Sequence, residues 1–500
     1  MSENINLKNK LLESSLITKN TIISLVGALL PLIIGLIAIP KTISLLGDDV
    51  FGLLIIIWAI LSYMSLLDLG LGKALIKYIS ECIGKNELKK IQNYFWVSII
   101  VSTIFSIILS GLLFSVSSFI AKNLLNIDIQ LIEVTIKSIK IISLGVPLIF
   151  LISIFNSYLR SLQKFGIITV TQVTNSIFNY VIPVIVFSIR QDFIFVVFVL
   201  VLYKILIFIV LSFIVFKSLK TFPKEELNFI NTFKELINFG WWSNLSSLIS
   251  PLIDYMDRFA IASFISLSAV AYYSTPLEIV LRVSFISTAI TSVIFSAISN
   301  SINHNSKKTE EIINNGLKLI FLCTLPIIYT VTIFAEEGLR LWVGDEFARE
   351  GFFVVQIIGI GILYKSVTHL PIAHLHSLGK PSLVATVHMF EVPIYISVLY
   401  ILSLKFGLVG AAIAHSFRLV LDYILMTFFA RKNSRALNTH YKKYFFLITF
   451  CSILISVSVQ IDSLLFRLIL WGAITLLYMV VIFRIILNYI QNKKFNTMNI

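Results

Sequence analysis

Charge is what this sequence has least of: only 13% of its 500 residues are Asp, Glu, Lys or Arg, about half the share found in soluble domains. That scarcity excludes an ordinary soluble fold. Cysteine is rarer still. Cys82, Cys323 and Cys451 are widely separated and have no metal-ligand spacing, so neither a disulfide framework nor a zinc site is expected. There is no phosphate-cradling glycine loop followed by Lys and Ser or Thr, no nucleophile elbow, and no extramembrane segment large enough for an ATPase. We therefore expect no catalytic centre and no cofactor, and any work must draw on an ion gradient or on the substrate's own gradient.

Apolar residues supply the rest. Hydrophobic side chains make up 57% of the chain and mean hydropathy is +0.93. Runs of about 18 or more apolar residues recur along its length, each enough to span the roughly 30 Å hydrocarbon core of a bilayer. Continuous runs, in place of period-two alternation, select helices over a closed barrel. The fold class expected is an all-α polytopic membrane protein with about fourteen transmembrane helices. The spans read as 21–46, 51–72, 94–121, 131–156, 167–189, 193–216, 240–265, 277–300, 316–335, 351–372, 383–404, 407–430, 445–460 and 464–488. The first follows Lys8, Lys10 and Lys19. It is longer than a signal-peptide core and has no convincing cleavage site, so it reads as a span.

The net charge of +14 raises the question of nucleic acid. Position answers it, because the basic residues sit between spans. Alternate connections on one side carry 25 Lys and Arg, including the five from Lys73 to Lys90 and the five from Arg431 to Lys443, whereas the other side carries six. The positive-inside rule then places both termini in the cytoplasm, and no nucleic-acid partner is expected.

The longest polar interruption, 217–239, contains Pro223, Glu225 and Glu226 and an amphipathic stretch from Phe229 to Phe239. It reads as a cytoplasmic linker along the membrane surface. The domains expected are a six-helix bundle at 1–216, the linker at 217–239, a second six-helix bundle at 240–430, and two further helices with a tail at 431–500. The two bundles are expected to surround a central cavity. A weak internal repeat agrees with this division: Pro31, Leu46 and Phe51-Gly52 are echoed by Pro251, Leu267 and Tyr272-Tyr273. Proline-interrupted helices at matching places in two halves point to a transporter cavity.

Ionisable residues inside spans are costly and usually face a bundle interior, which makes them candidates for function. Asp254, Asp257 and Arg258 lie beside Pro251; Glu278 and Arg282 are four apart, as are Arg418 and Asp422. Such spacing puts each pair on one helix face, either as an ion pair that holds the bundle or as cavity lining. For the group in spans 7 and 8 the repeat favours the cavity. Lys204 reads as a cavity cation, and Glu391 beside Pro393 as structural or as a counter-charge. Asp68, followed by Gly70, Gly72, Lys73 and Lys77, could couple ion movement, pair with Lys73 or cap a break. Lys137 and Lys140 suit snorkelling to the interface. In span 10, Lys365, His369 and His376 fall near one face. A metal is not expected there, since no carboxylate or cysteine joins them at ligand spacing and His374 and His376 point apart. Protonatable cavity lining is the better reading.

Three regions carry a resemblance to a known family. The first is Pro40, Leu46-Gly47, Phe51-Gly52 and Asp68-Leu69-Gly70; the second is Asp257-Arg258 followed by Tyr272-Tyr273-Ser274. The third runs from Gly379-Lys380-Pro381 through His388, Glu391-Val392-Pro393, Tyr395, Tyr400, Phe406-Gly407, Gly410-Ala411-Ala412 and Ala414 to Arg418 and Asp422. The chain resembles, over essentially its whole length, the bacterial polysaccharide flippases that export O-antigen or capsule repeat units, within the multidrug/oligosaccharidyl-lipid/polysaccharide exporter superfamily. It departs from them at His415, where a bulky aromatic is usual, and in a first span without cavity basic residues.

The resemblance implies a substrate, an undecaprenyl-diphosphate-linked oligosaccharide, moved across the bacterial inner membrane by alternating access. Membrane lipid and a polysaccharide polymerase are the other partners it implies. Lys204, Arg258, Arg282 and Lys365 are then expected to contact substrate. Asp68, Asp257, Glu278 and Glu391 would serve as counter-charges or ion-coupling groups, with Arg418 and Asp422 as an ion pair or cavity lining. Two other readings stay open at this point: a cation-coupled exporter of drugs or amphiphiles, and a membrane-embedded glycan polymerase or ligase. The second should show a substantial outer loop, whereas the longest here runs only from about Glu336 to Glu350.

Overall fold

A computed structural model describes residues 30–498 apart from 32, 69, 224–227, 302–305, 434–437 and 462. The described residues are helical almost throughout and contain no strand. The order is α1 (Ile33–Leu46), α2 (Asp48–Leu66), α3 (Leu71–Lys85), α4 (Lys90–Phe119), α5 (Ile129–Ser161), α6 (Phe165–Arg190), α7 (Phe193–Leu219), α8 (Phe229–Phe264), α9 (Leu267–Ser301), α10 (Ser306–Ile333), α11 (Ala335–Val343) and α12 (Asp345–Ser377). A hairpin of α13 (381–406) and α14 (408–433) follows, then α15 (Asn438–Val459) and α16 (Leu464–Met498). Ten described helical stretches, the α13–α14 hairpin counted as one, are long and apolar enough to cross a membrane, and Ile33–Leu46 and Leu464–Val480 are shorter apolar helices. This is a polytopic all-α protein. The first nine residues of the expected span 21–46 lie outside the described residues.

The burial pattern is inverted relative to a soluble bundle. On α4, Ser98, Ser102 and Ser106 are wholly buried, while Ile104, Ile107, Ile108 and Leu112 are all more than half exposed. Lipid is as apolar as isoleucine, so helices gain by burying small residues that let backbones approach and by leaving branched side chains outside. Facing them on α5 are Thr135, Ser138 and Ser143, also buried, and the Ser110 hydroxyl donates to the Ser143 carbonyl at 2.6 Å. The chain folds as two compact units, 1–271 and 272–500. Helix α5 is central to the first, packing on α2, α3, α4, α6 and α7, and α12 is central to the second, packing on α10, α11, α15 and the α13–α14 hairpin.

Local chemistry sets the breaks. Asp192 caps α7 by accepting from the amides of Ile194 and Phe195 at 2.9 and 3.3 Å, which satisfies donors that a helix start leaves bare. The expected span 51–72 ends earlier, at Leu66, because the chain turns at Asp68 and Gly70 before α3 begins. Gly70 adopts φ +72°, a conformation that costs glycine nothing. The stretch Phe229–Phe239 is not a separate surface helix: α8 runs unbroken from Phe229 to Phe264, since no proline interrupts it before Pro251. Its start docks on the preceding helices, with Tyr94 donating to Glu235 Oε2 at 2.5 Å and Tyr78 to the Glu235 carbonyl at 3.3 Å.

The α13–α14 hairpin is marked by Gly407, whose φ of 56° and ψ of −132° lie outside any helix. Contacts across it keep an antiparallel register. A β-carbon on Gly410 would strike the Leu402 carbonyl, Tyr395 meets the His415 ring edge-on, and His388 reaches Asp422. A straight helix of 53 residues would be about 80 Å long, far beyond one bilayer thickness, so the chain must double back.

Two segments of the internal echo read from the sequence touch inside the first unit. Phe51 is buried at the start of α2, and a β-carbon on Gly52 would collide with the Leu267 carbonyl at the start of α9. The Ser268 amide donates to Asp49 Oδ1 at 3.1 Å. The two corresponding turns therefore pack on one another. The side chain of Pro251 lies outside the described residues.

Candidate functional site

In the first unit the charged residues sit on three separate supports. Asp68 occupies the turn between α2 and α3, where its Oδ1 accepts the Gly70 amide at 3.0 Å. Asp68 thus caps the break at the glycines, and it also interacts electrostatically with Lys73. Lys204 projects from α7 to Asn175 on α6, donating a hydrogen bond to Asn175 Oδ1. Tyr203 beside it stacks on Phe178 with centroids 4.6 Å apart. Among the described residues no carboxylate lies within ion-pair distance of Lys204. The Lys204 ammonium also lies 5.9 Å from the Tyr203 ring centroid, and a membrane-embedded ammonium without a carboxylate partner retains the capacity to bind an anion.

Asp257 and Arg258 on α8 are both buried. Asp257 Oδ1 accepts the Arg258 amide at 2.8 Å, and the Arg258 guanidinium lies 4.7 Å from the Tyr255 ring centroid. Tyr255 in turn packs on Tyr63 of α2, centroids 5.6 Å apart. Aromatic faces thus support the guanidinium, an arrangement that favours a planar cation over an ammonium. The Asp254 side chain lies outside the described residues.

In the second unit, Glu278 and Arg282 form the pair that their spacing predicts, at 3.4 Å on one face of α9. Arg282 also lies over Phe285 at 5.5 Å. On α12, Lys365 and His369 are half-buried, His374 is buried and His376 is exposed, so the last two point apart as their spacing requires. On the hairpin, Glu391 is buried on α13, and Arg418 and Asp422 lie on α14. Arg418 stacks over the Tyr395 ring at 5.4 Å, and Asp422 faces His388 at 3.4 Å.

Two groups escaped the reading of charges along the chain. Asn175 carries no charge, so nothing marked it out until Lys204 reached it. His388 entered only as one letter of the family-like run, although its spacing of three from Glu391 puts both on one face.

A family model described as a polysaccharide biosynthesis protein matches residues 44–350. The chain belongs to this family. The matched stretch holds Asp68, Lys204, Asp257, Arg258, Glu278 and Arg282, whereas Lys365, Glu391, Arg418 and Asp422 lie beyond it. Among curated proteins, the "Putative O-antigen transporter" of Shigella flexneri is 27% identical over 411 residues, covering 82% of this chain and 96% of that protein. The "Probable low-salt glycan biosynthesis flippase" of Haloferax volcanii is 27% identical over 194 residues, 38% of this chain and 41% of that one. In fold, the chain is similar to an inward-facing multidrug resistance transporter of the multidrug and toxin extrusion family, with a TM-score of 0.71, 15% identity, and coverage of 83% of this chain and 99% of that one. It is also similar to the inward closed conformation of the lipid II flippase MurJ, with a TM-score of 0.69, 17% identity, and coverage of 93% and 100%. At these identities the structures speak for the fold, and the polysaccharide family match speaks for the branch.

Proposed function

We propose that this chain is a flippase that carries a lipid-linked oligosaccharide, an undecaprenyl-diphosphate-linked repeat unit, to the outer leaflet of the cytoplasmic membrane by alternating access. The observation that carries this reading is Lys204, a cation within the helical bundle that donates to the amide oxygen of Asn175 and lies near the Tyr203 ring, with no described carboxylate partner. A diphosphate and several sugars cannot enter hydrocarbon without replacement of their water. Lys204, Arg258, Arg282 and Lys365 supply the charge, with Asn and Tyr side chains for the sugars, while the polyprenyl tail stays in lipid. Asp68, Asp257, Glu278 and Glu391 act as counter-charges or coupling groups. The relatives named for O-antigen and glycan transport support the same reading.

In this proposal the protein has fourteen spans and both termini in the cytoplasm, as two six-helix halves joined at 217–239 and two further helices at 431–500. It transports and performs no covalent chemistry. A polysaccharide polymerase is the partner that consumes the delivered units.

The test is the leaflet accessibility of lipid-linked repeat units in cells with the gene deleted and restored. The intact chain should return them to the outer leaflet, and Lys204→Gln, Arg258→Gln and Arg282→Gln should each reduce that at least about tenfold at equal membrane abundance. Full transport by all three variants would refute the cation assignment. Normal flipping in the deleted strain with altered drug resistance would refute the substrate.

A further inference from the structure

On α13, His388 and Glu391 are three residues apart and share a face, and Asp422 on α14 comes against that face across the hairpin. One ligand atom from each of the three lies within 4.8 Å of the other two. His388 Nε2 and Asp422 Oδ1 are 3.4 Å apart. Glu391 is only 1% exposed, yet its Oε1 has no hydrogen-bond partner. Asp422 Oδ1 is also without a hydrogen bond and lies against the imidazole. Buried carboxylate oxygens normally find donors, because leaving one bare costs its full desolvation.

Other charged or chargeable groups stand nearby. Arg418, one turn before Asp422, acts electrostatically on Glu391. His376 of α12 interacts with His388, and His415 packs on Tyr395. A carboxylate oxygen of Glu391, one of Asp422 and an imidazole nitrogen of His388 thus converge on a place suited to a cation.

We propose that His388, Glu391 and Asp422 form a binding site for a divalent transition-metal cation of the zinc, manganese or cobalt class. One imidazole nitrogen and two carboxylate oxygens make a donor set that such ions favour, whereas calcium takes six to eight oxygens. Ligands at about 2.1 Å in tetrahedral array lie roughly 3.4 Å from one another. The His388–Asp422 edge already has that length, and Glu391 needs only a side-chain adjustment to join it. A bound cation would tie α13 to α14 in the middle of the hairpin. The site rests on the hairpin alone, although it shares Glu391 with the flippase reading, and metal binding to the purified protein tests it apart from transport.

The test is cobalt binding to the purified, tag-free full-length protein after chelator treatment, read by visible absorbance and by thermal stability. The unaltered protein should bind one Co²⁺ per chain, lose the signal to Zn²⁺, and melt at a higher temperature with metal. Glu391→Gln, Asp422→Asn and His388→Ala should each weaken binding at least about tenfold, whereas Glu350→Gln, an exposed carboxylate elsewhere, should not. Each variant is first shown to elute as a single species, and His388, the most accessible of the three ligands, gives the variant best placed to fold. Absence of saturable binding in the unaltered protein, or equal binding by all three ligand variants, would overturn the site.

Discussion

Arg467 on α16 grips Glu337 on α11 through both arms of its guanidinium, Nη2 to Oε1 at 2.5 Å and Nη1 to Oε2 at 3.2 Å. Nη1 also donates to the Ile333 carbonyl at 3.0 Å, which closes the end of α10. One side chain thereby fastens the last helix to two others. Trp471, one turn further along, adds a bond from Nε1 to Thr330 Oγ1 at 2.9 Å. Planar forked pairing of this kind is the strong form of ion pair, and Lys could not reproduce it.

Replacing Arg467 with Ala should therefore destabilise the protein by roughly 2–3 kcal/mol, somewhat below the 3–5 kcal/mol seen on breaking a fully buried pair, since Glu337 keeps some solvent contact. Arg467→Lys should recover less than half of the loss. Thermal unfolding in detergent measures both, and a Lys variant as stable as the parent would show that the fork is irrelevant.

Gly52 leads to a second prediction. A β-carbon there would collide with the Leu267 backbone, which cannot step aside as a side-chain tip would. Gly52→Ala should reduce the yield of folded protein sharply. Gly84→Ala, where a β-carbon meets nothing within 4 Å, should instead be neutral or stabilising by up to about 1 kcal/mol through helix propensity. Size-exclusion yield and melting temperature separate the two, and equal behaviour would argue against the close approach of the two turns.

The sidedness of the chain provides a third. With Cys82, Cys323 and Cys451 replaced by Ala, a single cysteine at Lys89 should react with an impermeant maleimide only from the cytoplasmic side. One at Ile129, 87% exposed at the start of α5, should react only from outside. Labelling of both from one side would overturn the orientation derived from the basic connections.

Asp422 shows where reading along the chain runs out. Arg418 is four residues away on the same helix, so local spacing nominates it as the partner. In the fold Asp422 lies 3.4 Å from the His388 imidazole, 34 positions earlier and across a hairpin. Glu278 and Arg282 behave otherwise: their spacing predicts a pair, and the pair forms, because both residues sit on one helix and need no third element. Lys204 was marked by its charge, but its partner Asn175 was not, since nothing in the sequence relates positions 175 and 204 until α6 and α7 pack together.

The division between sequence and structure follows from the range of the forces involved. Hydropathy is a sum over neighbouring residues, so the helical class and the membrane environment could be read from the chain alone, and ten described helical stretches are long and apolar enough to cross a membrane. The charge asymmetry between connections adds an expected sidedness by the same kind of local counting. Which residues meet depends on packing between helices, where small side chains set the approach of backbones and a single turn, such as that at Gly407, brings distant positions together. Only the tertiary structure placed Gly52 against Leu267, Arg467 in the carboxylate of Glu337, and His388 beside Asp422.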